Sequence, residues 1–101
     1  MLTQVYYKKP KGKILRKLRK ENINIKTTVW IGKNGLSEEL IKQIRNQVNK
    51  NNVVKIKILK NALGGIDRKE YIKEVAKELI KRGLYVIDIR GYTILVAKSL
   101  E

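Results

Sequence analysis

Apolar positions recur with two periods along this chain, and the changes between them lay out its elements. Val54-Lys55-Ile56-Lys57-Ile58 alternates strictly, as a strand with one apolar and one cationic face does. Thr27-Thr28-Val29-Trp30-Ile31, β-branched and aromatic, predicts an earlier strand. Between the two, Leu36, Leu40, Ile41, Ile44 and Val48 fall at helical spacing. Ser37 is suited to cap that helix, and Glu38 and Glu39 suit the positive end of its dipole. Asn51-Asn52 tolerate the left-handed conformation that would end it. A further helix carries the stripe Tyr71, Ile72, Val75, Ala76, Leu79 and Ile80. Asp67 caps it, Glu70 completes an Asp-x-x-Glu variant of the capping box, Ile66 is placed to staple onto Tyr71, and Gly83 closes the end.

The last third predicts a hairpin, Leu84–Ile89 and Tyr92–Ala97, turning at Arg90-Gly91. Pairing Ile89 with Tyr92 and Ile87 with Ile94 sends Tyr85, Ile87, Ile89, Tyr92, Ile94 and Val96 to one face. Leu84, Val86, Asp88, Thr93, Leu95 and Ala97 go to the other. Near the start, residues 8–20 carry eight basic residues and no acid. Pro10, the only proline, and Gly12 make the first part an arm. From Lys13 a short helix is expected, with Ile14, Leu15 and Leu18 on one side and Lys13, Arg16, Lys17 and Lys20 on the other.

The order is α-β-α-β-α-β-β. The two strand–helix–strand passages favour parallel pairing with right-handed crossovers, and the hairpin adds an antiparallel edge. This predicts an α/β (α+β) two-layer sandwich with a mixed four-stranded sheet. At 101 residues there is one domain; it spans 13–98, behind a basic arm over 1–12. Residues 60–66, with Gly64-Gly65, read as a mobile loop.

Charge changes the picture most. The 24 Lys and Arg against 9 Asp and Glu leave a formal +15, a self-repulsion that a polyanion relieves. Nucleic acid is the expected partner, ahead of an anionic membrane. A membrane-surface helix needs bulky apolar residues opposite its cations, and only 13–20 approaches that. Candidate phosphate contacts are Lys13, Arg16, Lys17 and Lys20 on the first helix, with Lys55 and Lys57 on the alternating strand. With neither Cys nor His, thiol nucleophiles, zinc sites and His-based acid–base chemistry are excluded. No cofactor or metal is expected. No apolar run reaches the roughly 18 residues of a membrane span, and Met1 leads into polar residues. A cytoplasmic protein is the expectation.

The chemistry concentrates in Trp30-Ile31-Gly32-Lys33-Asn34-Gly35-Leu36-Ser37, where two glycines flank a cation between strand and helix. A Walker A loop would need its lysine after the second glycine, so nucleotide hydrolysis is unsupported. Asn34-Gly35 is also a hairpin signal, but helical spacing follows it. There remain a merely tight turn and a loop whose backbone closely approaches a large anion. Because Glu38 and Glu39 already compensate the helix end, such an anion is expected against the loop amides and Lys33.

Ile31-Gly32-Lys33-Asn34-Gly35-Leu36-Ser37-Glu38, its helix and Val53-Val54-Lys55-Ile56-Lys57-Ile58 resemble the CRM domain (chloroplast RNA splicing and ribosome maturation), in its single-domain, YhbY-like form. The likeness continues through Asp67-Arg68-Lys69-Glu70 and a terminal hairpin of the form I-x-x-x-G-x-T-I-L-V, and covers roughly 13–98. The chain departs from the pattern in ending its last strand Val96-Ala97-Lys98. The resemblance implies a fold similar to the C-terminal domain of translation initiation factor 3 and no catalytic role. It implies RNA contact through Gly32, Lys33, Asn34 and Gly35, and association with ribosomal RNA or large ribosomal subunit precursors, or with structured intron RNA. The partner is then structured RNA, and the protein a monomer.

The rival is an Alba-like architectural DNA- or RNA-binding dimer, joined through an apolar face of Leu84, Val86, Leu95 and Trp30. Val5-Tyr6-Tyr7 covering that face within one chain is the plainer alternative. Trp30 falls opposite Val29 and Ile31. It is expected to pack on Leu84, Val86, Leu95 or Tyr6 and Tyr7, and the competing fate is stacking with an unpaired base.

Overall fold

A computed structural model of the protein describes residues 12–22 and 24–98. In order they form α1 (Gly12–Asn22), β1 (Thr27–Ile31), α2 (Glu38–Asn51), β2 (Val53–Ile58), a 3₁₀ turn (Lys60–Ala62), α3 (Arg68–Lys81), β3 (Tyr85–Arg90) and β4 (Thr93–Ala97). The expected α+β architecture is present, with one mixed four-stranded sheet. The arm 1–11, with Val5, Tyr6 and Tyr7, lies outside the described residues. So do the side chains of Lys13, Ile14, Leu15 and Leu18.

Local chemistry sets the helix ends. Ser37 accepts from the Leu40 amide at 3.2 Å. Asp67 accepts from Lys69 and Glu70. α3 closes with the Leu84 amide on the Leu79 carbonyl and the Gly83 amide on that of Ile80. Gly83, at φ +87°, supplies the left-handed residue this Schellman closure needs. Ile66, placed to staple onto Tyr71, stands half exposed.

Sheet order differs from the expectation. β1 and β2 pair in parallel, but β4 inserts between β2 and β3, antiparallel to both. The second crossover therefore joins strands that are not neighbours, and β3 rather than β4 is the edge. The hairpin turns at Gly91-Tyr92, with Arg90 opposite Thr93 and Ile89 opposite Ile94. A bulge between Val86 and Asp88 then reverses the faces. Leu84 and Val86 join Ile94 and Val96 in the main core beneath α2 and α3, and Ile87 passes to the opposite face.

That opposite face is not bare. Val53, Ile87, Leu95 and Ala97 form a second buried cluster with Ile25 against it, and α1 contacts β3. Arg19 Nε donates to the Ile87 carbonyl at 2.6 Å, and Asp88 lies 3.9 Å from the same nitrogen. α1 thus adds a partial third layer over one end of the sheet. Cover comes from within the chain: of the face expected for a dimer, Leu84 and Val86 point into the main core and Leu95 is buried, while Trp30 stays half exposed.

Candidate nucleic-acid interface

The sheet end at which β1 and β2 finish gathers the glycine loop, the 59–67 segment and the hairpin turn. The Gly35 amide donates to the Gly32 carbonyl at 2.9 Å, so Lys33 and Asn34 form the apex of a turn, both exposed. Gly35, at φ +69°, takes a conformation that side chains rarely adopt. Gly32 does not; a Cβ there would meet Leu59 Cδ1 at 3.6 Å and Asn61 Oδ1 at 3.9 Å, ordinary contacts. The Leu59 amide donates to the Ile31 carbonyl at 2.9 Å, and that of Ile58 to the Tyr92 carbonyl at 2.7 Å. These bonds join the loop bases.

Behind the apex, the Tyr71 hydroxyl lies 3.8 Å from where a Gly35 Cβ would stand. Burial raises its pKa, so it stays a neutral hydroxyl. The Arg68 guanidinium lies 5.4 Å from the centre of the Tyr92 ring, a cation held over an aromatic face at the mouth of the site.

On the open sheet face, pairing lines up Trp30 (β1), Lys57 (β2), Thr93 (β4) and Arg90 (β3) in one row across all four strands. Their neighbours Ile31, Ile58, Ile94 and Ile89 face the main core, so the row faces outward at the loop end. Lys55 lies one row further in, between Thr27 and Leu95, and is half-buried. Trp30 is 52% exposed. The expected packing on Leu84 and Val86 is not made, because the bulge turned both inward; Leu95, in the row beyond, belongs to the second cluster, and Tyr6 and Tyr7 lie outside the described residues.

The structure thus brings Gly32, Lys33, Asn34, Gly35 and Lys57 to one end. It does not bring α1 there: Arg16, Lys17 and Lys20 are exposed on a helix seated against β3, at the opposite edge of the sheet from β1. Sequence reasoning missed Arg68, Tyr71, Arg90 and Tyr92. No local signal marks them, since each reaches the site through strand order or a contact distant in sequence.

The acidic start of α2 is also altered by the fold. Arg82 grips Glu38 through two nitrogens and bonds Glu78 at 3.0 Å, while Arg45 donates to the Arg82 carbonyl at 2.7 Å. The Arg82 hydrogen bond holds the Glu38 carboxyl below its ordinary pKa, and the two carboxylates raise that of Arg82. Glu38 is turned to a protein cation, so its repulsion of an anion at the loop is weaker than the sequence implied. Among the described residues no group of acids could hold a metal ion, and no helix is long and apolar enough to cross a membrane.

The family model described as the CRS1 / YhbY (CRM) domain matches residues 11–98. The chain is 30% identical over 100 residues to a protein of Methanocaldococcus jannaschii named as a probable RNA-binding protein, covering 99% of this chain and 72% of that one. It is similar in fold to a Staphylococcus aureus protein solved in solution and described as a proposed RNA binder. There the TM-score is 0.69, at 28% identity, over 87% of this chain and 86% of the other.

Proposed function

The chain belongs to the CRS1 / YhbY (CRM) domain family, and on that premise we propose that it is a non-enzymatic, cytoplasmic RNA-binding protein. Its ligand is structured RNA, ribosomal RNA in large-subunit precursors, held during ribosome assembly. One observation carries this reading: an exposed Lys33-Asn34 apex between two glycines, continuous with a row of cationic, aromatic and hydroxyl side chains. Such a surface meets phosphates with backbone amides and cations, which position a duplex or loop without reading its sequence. Residues 13–98 form the binding domain, and the arm 1–12 adds charge. Lys13, Arg16, Lys17, Lys20 and Lys55 contribute affinity by counterion release.

A monomer is part of the same reading, and the burial of Leu84, Val86 and Leu95 within one chain supports it. Changing Lys33 and Asn34 both to Asp tests the reading. Both side chains are exposed, so melting is expected to stay unchanged while RNA binding, followed by titration at fixed salt, is lost. A folded double variant that binds as well as the wild type would return the loop to a simple turn.

A further inference from the structure

We propose that Trp30 is a stacking platform for one unpaired nucleobase, so that the protein favours RNA in which a helix adjoins a single-stranded nucleotide. The inference rests on the RNA reading above and adds the class of RNA that the site selects. An indole that is 52% exposed on an edge strand, two residues before Gly32, leaves about half of its surface open. Its surroundings suit a nucleotide. Lys57 is directly across from it and exposed, and Thr93 and Arg90 continue the same row.

Neighbouring strands lie about 4.8 Å apart, so the row runs about 14 Å from Trp30 to Arg90. The acid nearest it, Asp88, is turned to Arg90 at 2.9 Å and to Arg19 at 3.9 Å, and its side chain is 15% exposed. The row therefore presents cations and hydroxyl to a phosphate chain and one flat aromatic to a base. Bases stack on such rings without sequence preference, since every base has a π face. With a single aromatic in the row, the site takes one base. A helical segment at the Lys33 apex then places its first unpaired nucleotide over the indole.

The experiment uses the full chain and two RNA hairpins, one blunt and one with a short single-stranded extension, measured at one salt concentration. Trp30 is the only tryptophan, so its fluorescence reports the contact. Expected are quenching by the extended hairpin and tighter binding of it than of the blunt one. Trp30→Ala should weaken the extended hairpin by about 5- to 150-fold and leave the blunt one unchanged. Trp30→Phe should keep most of the preference.

Equal binding of both hairpins by wild type and Trp30→Ala, without quenching, overturns the inference and leaves RNA binding intact. A lowered melting temperature in Trp30→Ala with unchanged preference overturns it in favour of packing, with the arm over the indole. Failure of the wild type to bind either hairpin overturns both readings.

Discussion

The two glycines of the loop are expected to respond oppositely to one added methyl. At Gly35 the backbone sits at φ +69°, where an L-residue costs about 1–2 kcal/mol. Alanine recovers about 0.4–1 kcal/mol by restricting the unfolded chain. The net loss is then about 1 kcal/mol, or about 4–8 °C in melting temperature for a domain of this size. Gly32 has no positive φ, and its methyl would rest against Leu59 and Asn61 at 3.6 and 3.9 Å. Gly32→Ala should therefore melt at or above the wild-type temperature. If RNA comes close to this backbone, the methyl holds a phosphate off the loop amides. Losing one charged hydrogen bond of about 1.5–3 kcal/mol corresponds to at least tenfold in affinity. Calorimetry and RNA titration on both variants provide the assay. Gly32→Ala with undiminished RNA affinity would refute the close approach, and Gly35→Ala melting with the wild type would refute the conformational argument.

Glu38→Gln is expected to lower the melting temperature at neutral pH. Because Arg82 holds the folded carboxyl below its usual 4.5, the stabilisation is present above that value and is lost as pH falls through the lowered one. The gap between the two proteins in a pH-stepped melting series should therefore close only below pH 4.5, and a gap independent of pH would count against the pairing. Ile87→Ala should cost about 2–5 kcal/mol, since the side chain is fully buried. Denaturant unfolding giving under about 1 kcal/mol would mean that α1 does not cover the sheet there.

Periodicity made α2, α3 and all four strands legible, because each announces its buried face within a few residues. The caps at Ser37, Asp67 and Gly83 were equally local. Strand order was not. Nothing within Thr93–Ala97 says that it prefers Val53–Ile58 on one side as well as Tyr85–Arg90 on the other. The bulge at Ile87 was hidden for a related reason: Val86, Ile87 and Ile89 are all apolar, so alternation alone cannot choose which two share a face. The glycine loop was visible as a motif, and its Lys57 neighbour as a cationic strand face. The row that extends the site to Arg90, and the Arg68–Tyr92 contact, became readable only with the insertion of β4. The exposure of Trp30 follows from the same two features.

The central place of β4 also bears on how the molecule comes into being. Synthesis delivers β1, β2 and β3 first, yet β3 has no hydrogen-bonding partner in the sheet until Thr93–Ala97 arrives. Until then β2 is paired on one side only, and the Lys57 row lacks half its members. The nascent chain thus holds an open slot flanked by two unsatisfied strand edges, which other strands could enter. Closing that slot requires β2 and β4, some forty residues apart, to find each other, a non-local step of the kind that slows folding. The Trp30–Lys57–Thr93–Arg90 row is therefore completed only together with the sheet, and an unfinished chain would carry neither.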